Sequence, residues 1–247
     1  MGKMAGKKTF IDIHNHTVAS GHAYSSLQEM VKAAAEKGIE WLAITDHAPT
    51  LPGACDSMYF RNFGIIPRNM YGVKLLMGSE LNILDSEGTI DLDEHHYSLM
   101  DIRIAGIHKL CWTPGTKEQN TDGVLRVMRN KWVNVITHPG DGTAQLDFET
   151  LVKASRDTCT VLEINSSSLI PSRGKKAAHP NNIEILTFCK KYDVPVILSS
   201  DAHISFSVGD YRYALPLLEE VSFPEELVLN YDPEAFFAFT GLSPKVI

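Results

Sequence analysis

Thr9-Phe10-Ile11-Asp12-Ile13-His14-Asn15-His16 is a short apolar run that ends on two histidines. Such a run reads as a buried strand, and it delivers its histidines to the strand's C-terminal end. The same figure recurs along the chain. Ile39 to Thr45 leads into Asp46-His47, Val73 to Glu80 closes on a carboxylate, and Ile102 to His108 and Val133 to His138 close on histidine. Thr160 to Asn165 and Val194 to Ser199 complete seven runs, the last leading into Ser200-Asp201-Ala202-His203. Their Ile, Val and Leu content is that of strands buried on both faces of a parallel sheet.

Helices are expected between the runs. Leu27 to Lys37 opens with the capping box Ser26-x-x-Glu29 and stops at Gly38, and Ile183 to Tyr192 is expected to open at Asn181-x-x-Glu184. Ile83 to Asp91, centred on Ser86-Glu87-Gly88, reads as a hairpin hung on the third run, and Asp232-Pro233-Glu234 starts a last apolar helix. No linker or repeat interrupts the pattern, so residues 1–247 are expected to form one domain with its core at about 9–240.

Seven βα units can make an open sheet or a closed barrel, and periodicity does not separate the two. The polar residues do. Of ten histidines, His14, His16, His47, His108, His138 and His203 lie at or just past a strand's C-terminal end, joined there by Glu80 and Asp201. A barrel gathers such ends, remote in sequence, into one pocket. The fold expected is therefore α/β, a distorted (βα)7 TIM-like barrel with its metal site at the C-terminal ends of the strands. His14-x-His16 and Asp201-x-His203 are i, i+2 pairs, which an extended chain sets on one face about 6 to 7 Å apart. His22, in the loop after the first strand, can turn back over the mouth. Taken alone, a strand-end residue such as His138 is an ordinary hydrogen-bonded side chain. Nine ligand-type residues at one rim (His14, His16, His22, His47, Glu80, His108, His138, Asp201 and His203) instead match three divalent ions with about three protein ligands each. His95, His96 and His179 are assigned to a solvated helix start and a loop.

Composition excludes other classes. At 44% hydrophobic and 21% charged residues the chain is an ordinary globular protein, long enough to hold a core without a structural metal. A net charge of −7 disfavours long nucleic acids as partners. Cys55, Cys111, Cys159 and Cys189 form no C-x-x-C pair, Met1 to Thr9 contains no leader-like apolar segment, and no run reaches the length of a membrane span. A cytoplasmic location with reduced thiols is expected, and a homo-oligomer is compatible with everything above.

The ordered set His14-x-His16, Thr45-Asp46-His47, Gly78-Ser79-Glu80, Gly106-Ile107-His108, Thr137-His138-Pro139 and Ser200-Asp201-Ala202-His203 resembles the PHP (polymerase and histidinol phosphatase) superfamily, over residues from about 9 to about 210. Leu162-Glu163-Ile164-Asn165-Ser166-Ser167-Ser168 and Phe206 to Asp210 further resemble its small stand-alone phosphatases of the YcdX type. The resemblance implies a trinuclear site holding zinc, with manganese or iron in some members. It also implies a ligand assignment. His14, His16, Glu80 and Asp201 would hold one ion, with Glu80 bridging to a second held by His108 and His138, while His22, His47 and His203 would hold the third.

The expected activity is phosphoric monoester hydrolysis on a small phosphorylated metabolite, with a metal-bound hydroxide as nucleophile. Phosphate monoester hydrolysis needs accelerations approaching ~10²¹, far beyond the ~10²–10⁴ of one acid–base pair. Asp46 is a candidate proton acceptor or partner of a ligand, equally readable as a turn cap, and Arg173, in the loop after the sixth strand, is the best phosphate-binding candidate, ahead of Lys109. Three rivals stand beside this reading. They are a phosphodiesterase or exonuclease-type PHP activity, an amidohydrolase-type barrel, which normally bridges its ions with a strand-end Lys, and a metal-binding regulatory module whose activity has lapsed.

Overall fold

The computed structural model describes residues 8–243. The N-terminal segment read as lacking a leader therefore lies, up to residue 7, outside the described residues. The strands are β1 (Ile11–Asp12), β2 (Trp41–His47), β3 (Asn69–Met70), β4 (Val73–Asn82), β5 (Ile102–Gly106), β6 (Val135–Ile136), β7 (Val161–Asn165) and β8 (Val196–Ser199). All except β3 pair in parallel, in the order β1-β2-β4-β5-β6-β7-β8, so consecutive runs are neighbours and curl into a nearly closed seven-stranded barrel. β3, which the sequence did not suggest, is a two-residue strand antiparallel to the start of β4.

The helices are α1 (Leu27–Glu36), α2 (Met58–Arg61), α3 (Glu94–Leu99), α4 (Lys117–Met128), α5 (Phe148–Thr158), α6 (Ala178–Tyr192), α7 (Leu215–Glu220) and α8 (Pro233–Thr240). α1 carries the expected capping box, with Ser26 accepting from Glu29 N–H and the Glu29 carboxylate accepting from Ser26 N–H. α8 begins at Pro233 under an Asp232 cap. The expected start of α6 at Asn181 is corrected. The helix begins three residues earlier, at Ala178, so His179 is helical rather than in a loop. Pro180 is tolerated because it falls in the first turn, where its missing N–H has no intrahelical acceptor. Ile83 and Ile90 pair antiparallel, as the hairpin required.

Inside the barrel, beneath the site, Ile11, Ile13, Ala43, Leu76, Ile102, Ile104, Val135, Val161 and Ile197 pack into one apolar cluster, closed from below by Leu229 and by Phe236 of α8. β1 and β8 do not form a ladder. Asn230 fills that seam: its amide donates to the carbonyls of Ile11 and Leu198 at 3.0 and 2.7 Å, and its oxygen accepts from Leu198 N–H at 2.7 Å. Nearer the rim Asp12 accepts from Ser200 Oγ at 2.6 Å, and Asn15 bridges to Ala202. These contacts fix Asp201, which follows Ser200, against the first strand.

Candidate metal centre

All nine ligand-type residues arrive at one rim. The β2–β4 register sets His47 level with Glu80, and β4–β5 sets Glu80 level with Ile104, two residues before Gly106. Gly106 is needed as glycine, because a Cβ there would lie 2.3 Å from Thr137 Oγ1 and 2.9 Å from His138 Cε1. That space lets the His138 ring turn toward Glu80. His138 and Asp201 both adopt positive φ, 35° and 50°, uncommon backbone for residues other than glycine, and here the surrounding hydrogen bonds hold it.

Four of the imidazoles, those of His14, His16, His22 and His203, are aimed by a hydrogen bond at the outer nitrogen. Glu163 Oε1 is 2.7 Å from His14 Nδ1, Ser20 Oγ is 3.0 Å from His16 Nδ1, and the carbonyls of Ser20 and Asp201 are each 3.0 Å from the Nδ1 of His22 and His203. Acceptors on Nδ1 put the proton there and leave the Nε2 lone pairs facing inward. They face one another: His14 and His16 Nε2 are 3.0 Å apart, as are His22 and His203 Nε2. Two inward lone pairs at that distance repel unless something positive lies between them. The separation is close to the roughly 3.3 Å expected of neighbouring nitrogens on a tetrahedral zinc ion.

Glu80 lies at the centre, fully buried. Its Oε1 is 2.8 Å from His138 Nε2 and 3.2 Å from His108 Nε2, and its Oε2 is 2.8 Å from His47 Nδ1 and 3.3 Å from His14 Nε2. His47 Nδ1 and Glu80 Oε2 nonetheless lack hydrogen-bond geometry and have no hydrogen-bond partner among the described residues. Buried polar atoms left unpaired at the centre of a His/Glu/Asp cluster are the signature of ligands for an ion. Three sets have ligand atoms within 4.8 Å of one another: His14, His16 and Asp201; His16, His47 and His203; and His47, Glu80 and His108. The residues therefore fit divalent metal ions.

The electrostatics divide the cluster: against burial, Glu80 and Glu163 raise His14 well above the ordinary range and Glu80 raises His138, so these two rings sit where the carboxylates favour a positive charge. Burial opposes ionisation of Glu80 and Asp201, yet the surrounding imidazoles outweigh it and hold both carboxyls well below the ordinary range. Burial, reinforced by neighbouring imidazoles, pushes His16 well down and His22 down, and burial lowers His108 despite Glu80, so these rings are neutral and ready to ligate.

Asp46 stands in the wall, not in the cleft. Fully buried, it accepts from Thr17 N–H and Oγ1, from Ser20 Oγ at 2.6 Å and from Tyr59 Oη at 2.8 Å. Because Ser20 gives its proton to Asp46, its oxygen is free to accept from His16 and from the His47 backbone N–H. Asp46 thus orders the first loop and, through Ser20, the His16 ring. Tyr59 serves that carboxylate, while Phe60 and Phe63 are core residues, so the aromatics of the Ala48–Met70 loop do not roof the pocket, although Leu51 and Pro52 line it.

Sequence reading passed over Glu163 as a functional group. Its second oxygen accepts from His138 N–H at 2.6 Å, so one buried carboxylate holds two candidate ligands. Its signal was an acidic residue inside the apolar strand Val161–Asn165. Above the cluster opens a cleft of about 480 Å³, walled by Lys109, Asp141, Arg173 and Lys175 among others, within the size range of small-molecule sites. Lys175 is ion-paired to Asp141 at 2.5 Å, and Arg173 is exposed.

The chain belongs to the PHP domain family, which matches residues 12–215. It is 40% identical to a probable phosphatase of Clostridium novyi (strain NT) over 239 residues, 97% of each chain, and 42% identical to a probable phosphatase of Acetivibrio thermocellus over 229 residues, 93% of this chain and 94% of the other. The same fold is found in the histidinol phosphate phosphatase of Lactococcus lactis subsp. lactis Il1403, whose crystal structure holds zinc, L-histidinol and phosphate. That match has a TM-score of 0.56 and 17% identity, and covers 89% of this chain and 95% of that one. A second match, the putative histidinol phosphatase of Listeria monocytogenes, has a TM-score of 0.59 and 15% identity, and covers 81% of this chain and 97% of that one. Among the described residues no helix is long and apolar enough to cross a membrane, and all four cysteines are free thiols.

Proposed function

We propose that this chain is a metal-dependent phosphatase that hydrolyses small phosphate monoesters at a cluster of three divalent ions. The observation that carries it is the convergence of inward-facing imidazole nitrogens and two buried carboxylates on the floor of a cleft walled by Lys109, Arg173 and Lys175. His14, His16, Glu80 and Asp201, then Glu80, His108 and His138, then His22, His47 and His203 would hold the ions. The relative with bound zinc favours zinc, with manganese or iron as alternatives. Such ions supply charge neutralisation on phosphoryl oxygens and a water acidic enough to attack at neutral pH.

The chain's own residues do the positioning. Arg173, whose planar guanidinium matches two phosphoryl oxygens, orients the group from the rim. Lys175, ion-paired to Asp141, offsets that carboxylate so that it does not repel the substrate. Glu163 and the Asp46–Ser20 pair hold His14, His16 and His138 in place, so no reorganisation is needed when substrate arrives.

The test is a panel of phosphometabolites and a DNA oligonucleotide, read by phosphate or nucleotide release, on protein of measured metal content. Monoester hydrolysis exceeding nuclease activity is expected, since a chain of net charge −7 repels a polyanion. Faster release from the oligonucleotide would replace this reading with an exonuclease, and no hydrolysis at full metal content would replace it with a lapsed metal-binding module.

A further inference from the structure

A second cleft, of about 220 Å³, opens beside the first. Asp201, His203 and Arg173 line both clefts. Ser166, Ser167, Asp210 and Tyr213 also line the second, and Tyr24 borders it with 78% of its surface in solvent.

Two features of this cleft are unexplained by folding. The Oγ atoms of Ser166 and Ser167 are buried and have no hydrogen-bond partner among the described residues. Buried hydroxyls are normally paired, and two adjacent unpaired ones on a cleft wall are positioned for a partner that enters from outside. Arg173, between the clefts, uses only its backbone N–H, bonded to Ile170 O, and has no carboxylate partner among the described residues.

We propose that the second cleft is the subsite for the alcohol part of the phosphate monoester, and that it selects an alcohol rich in hydroxyl groups and carrying no negative charge. This rests on the phosphatase reading above. A phosphoryl group at the junction of the clefts lies against Asp201 and His203 below and Arg173 at the side, so the ester oxygen can send its carbon skeleton outward past Ser166 and Ser167. Serine hydroxyls both donate and accept, which suits a polyol whose hydroxyls do the same. The rings of Tyr24 and Tyr213 offer apolar faces to the C–H side of such a skeleton. Asp210 adds a carboxylate to the same lining. Its bidentate partner Arg212, at 2.8 and 2.7 Å, holds it below the usual carboxylate range and lies mostly in solvent, so a second anionic group on the substrate meets a fixed negative charge.

The experiment compares ethyl phosphate, ribose 5-phosphate and 3-phosphoglycerate on metal-supplemented protein. For the wild type, kcat/KM for ribose 5-phosphate should exceed that for ethyl phosphate by about tenfold or more, and 3-phosphoglycerate should fall below ribose 5-phosphate. Ser166→Ala and Ser167→Ala should each lower the ribose 5-phosphate to ethyl phosphate ratio by about fivefold, the worth of one hydrogen bond. Asp210→Asn should raise 3-phosphoglycerate relative to ribose 5-phosphate, a change in selectivity that mere loosening of the fold would not produce. Ratios unchanged in all three variants, or a wild-type preference for 3-phosphoglycerate, would overturn the subsite while leaving the phosphatase intact, and would put the alcohol among the lysines of the first cleft. No phosphate released from any of the three esters by the wild type would overturn the phosphatase reading, and the subsite with it.

Discussion

Glu163 Oε1 lies 2.7 Å from His14 Nδ1, and the other oxygen of the same carboxylate accepts from the His138 backbone N–H at 2.6 Å. One buried group therefore sets the tautomer of a ligand on the first strand and the backbone of a ligand after the sixth. Glu163→Gln keeps the shape but replaces one acceptor oxygen with an NH₂ donor, which must then face either His14 Nδ1–H or His138 N–H. Metal affinity or turnover should fall by about 10–100-fold, as when other partners of metal-bound histidines are removed. Competition with a chelator of known affinity measures this, with circular dichroism confirming the fold. An unchanged metal dissociation constant would show that Glu163 only fills space.

Glu80→Gln probes the centre of the cluster. Its two oxygens face different histidines, His108 and His138 on one side and His14 and His47 on the other, as a carboxylate shared between two ions would. An amide offers one neutral acceptor oxygen, so the bridge should fail. Turnover should drop by more than about 100-fold and bound metal by roughly one equivalent per chain, by elemental analysis beside the phosphatase assay. A variant that retains its full metal complement and near-normal turnover would remove Glu80 from the bridging position.

Chelation should separate function from folding. The apolar interior closed by Phe236 and Leu229 lies beneath the metal rim and contains none of its ligands. A chain of this size buries roughly three quarters of its unfolded surface without help from an ion. EDTA should abolish activity while far-ultraviolet circular dichroism is largely preserved, and zinc or manganese should restore turnover. Loss of secondary structure on chelation would make the ions structural.

The strands were legible because parallel strands buried on both faces are written as unbroken Ile/Val/Leu runs. The site was legible because its histidines stand where those runs stop. What stayed hidden depends on contacts between distant segments. β3 has two residues and no pattern to read. Asn181-x-x-Glu184 imitates a helix start, but α6 begins earlier, where Asn182 donates to Ala178 O from inside the helix. Asp46 looked like a group of the pocket because it adjoins His47, yet alternation along β2 turns it to the opposite face, toward Thr17 and Ser20. Arg173 was readable as a rim residue, but its place between two clefts exists only once the loops after β7 and β8 pack together.

Asn230 was also invisible in sequence, and it carries the last prediction. It replaces the missing ladder between β1 and β8 with three hydrogen bonds, to Ile11 O, Leu198 O and Leu198 N–H, and is itself fully buried. Asn230→Leu conserves volume but strands Leu198 N–H and O in an apolar seam and leaves Ile11 O with Tyr211 Oη alone, and each unsatisfied group costs about 1–3 kcal/mol. The expected loss is about 2 kcal/mol or more, read as a lower urea midpoint at unchanged slope. The damage should reach the site as well. Ile11 precedes Asp12, whose carboxylate holds Ser200 and through it the positive-φ residue Asp201, so a loosened seam should weaken metal binding in the still-folded variant. A urea midpoint within about 0.5 kcal/mol of the wild type would show that the seam closes without Asn230, because substitutions outside such features usually stay within that range.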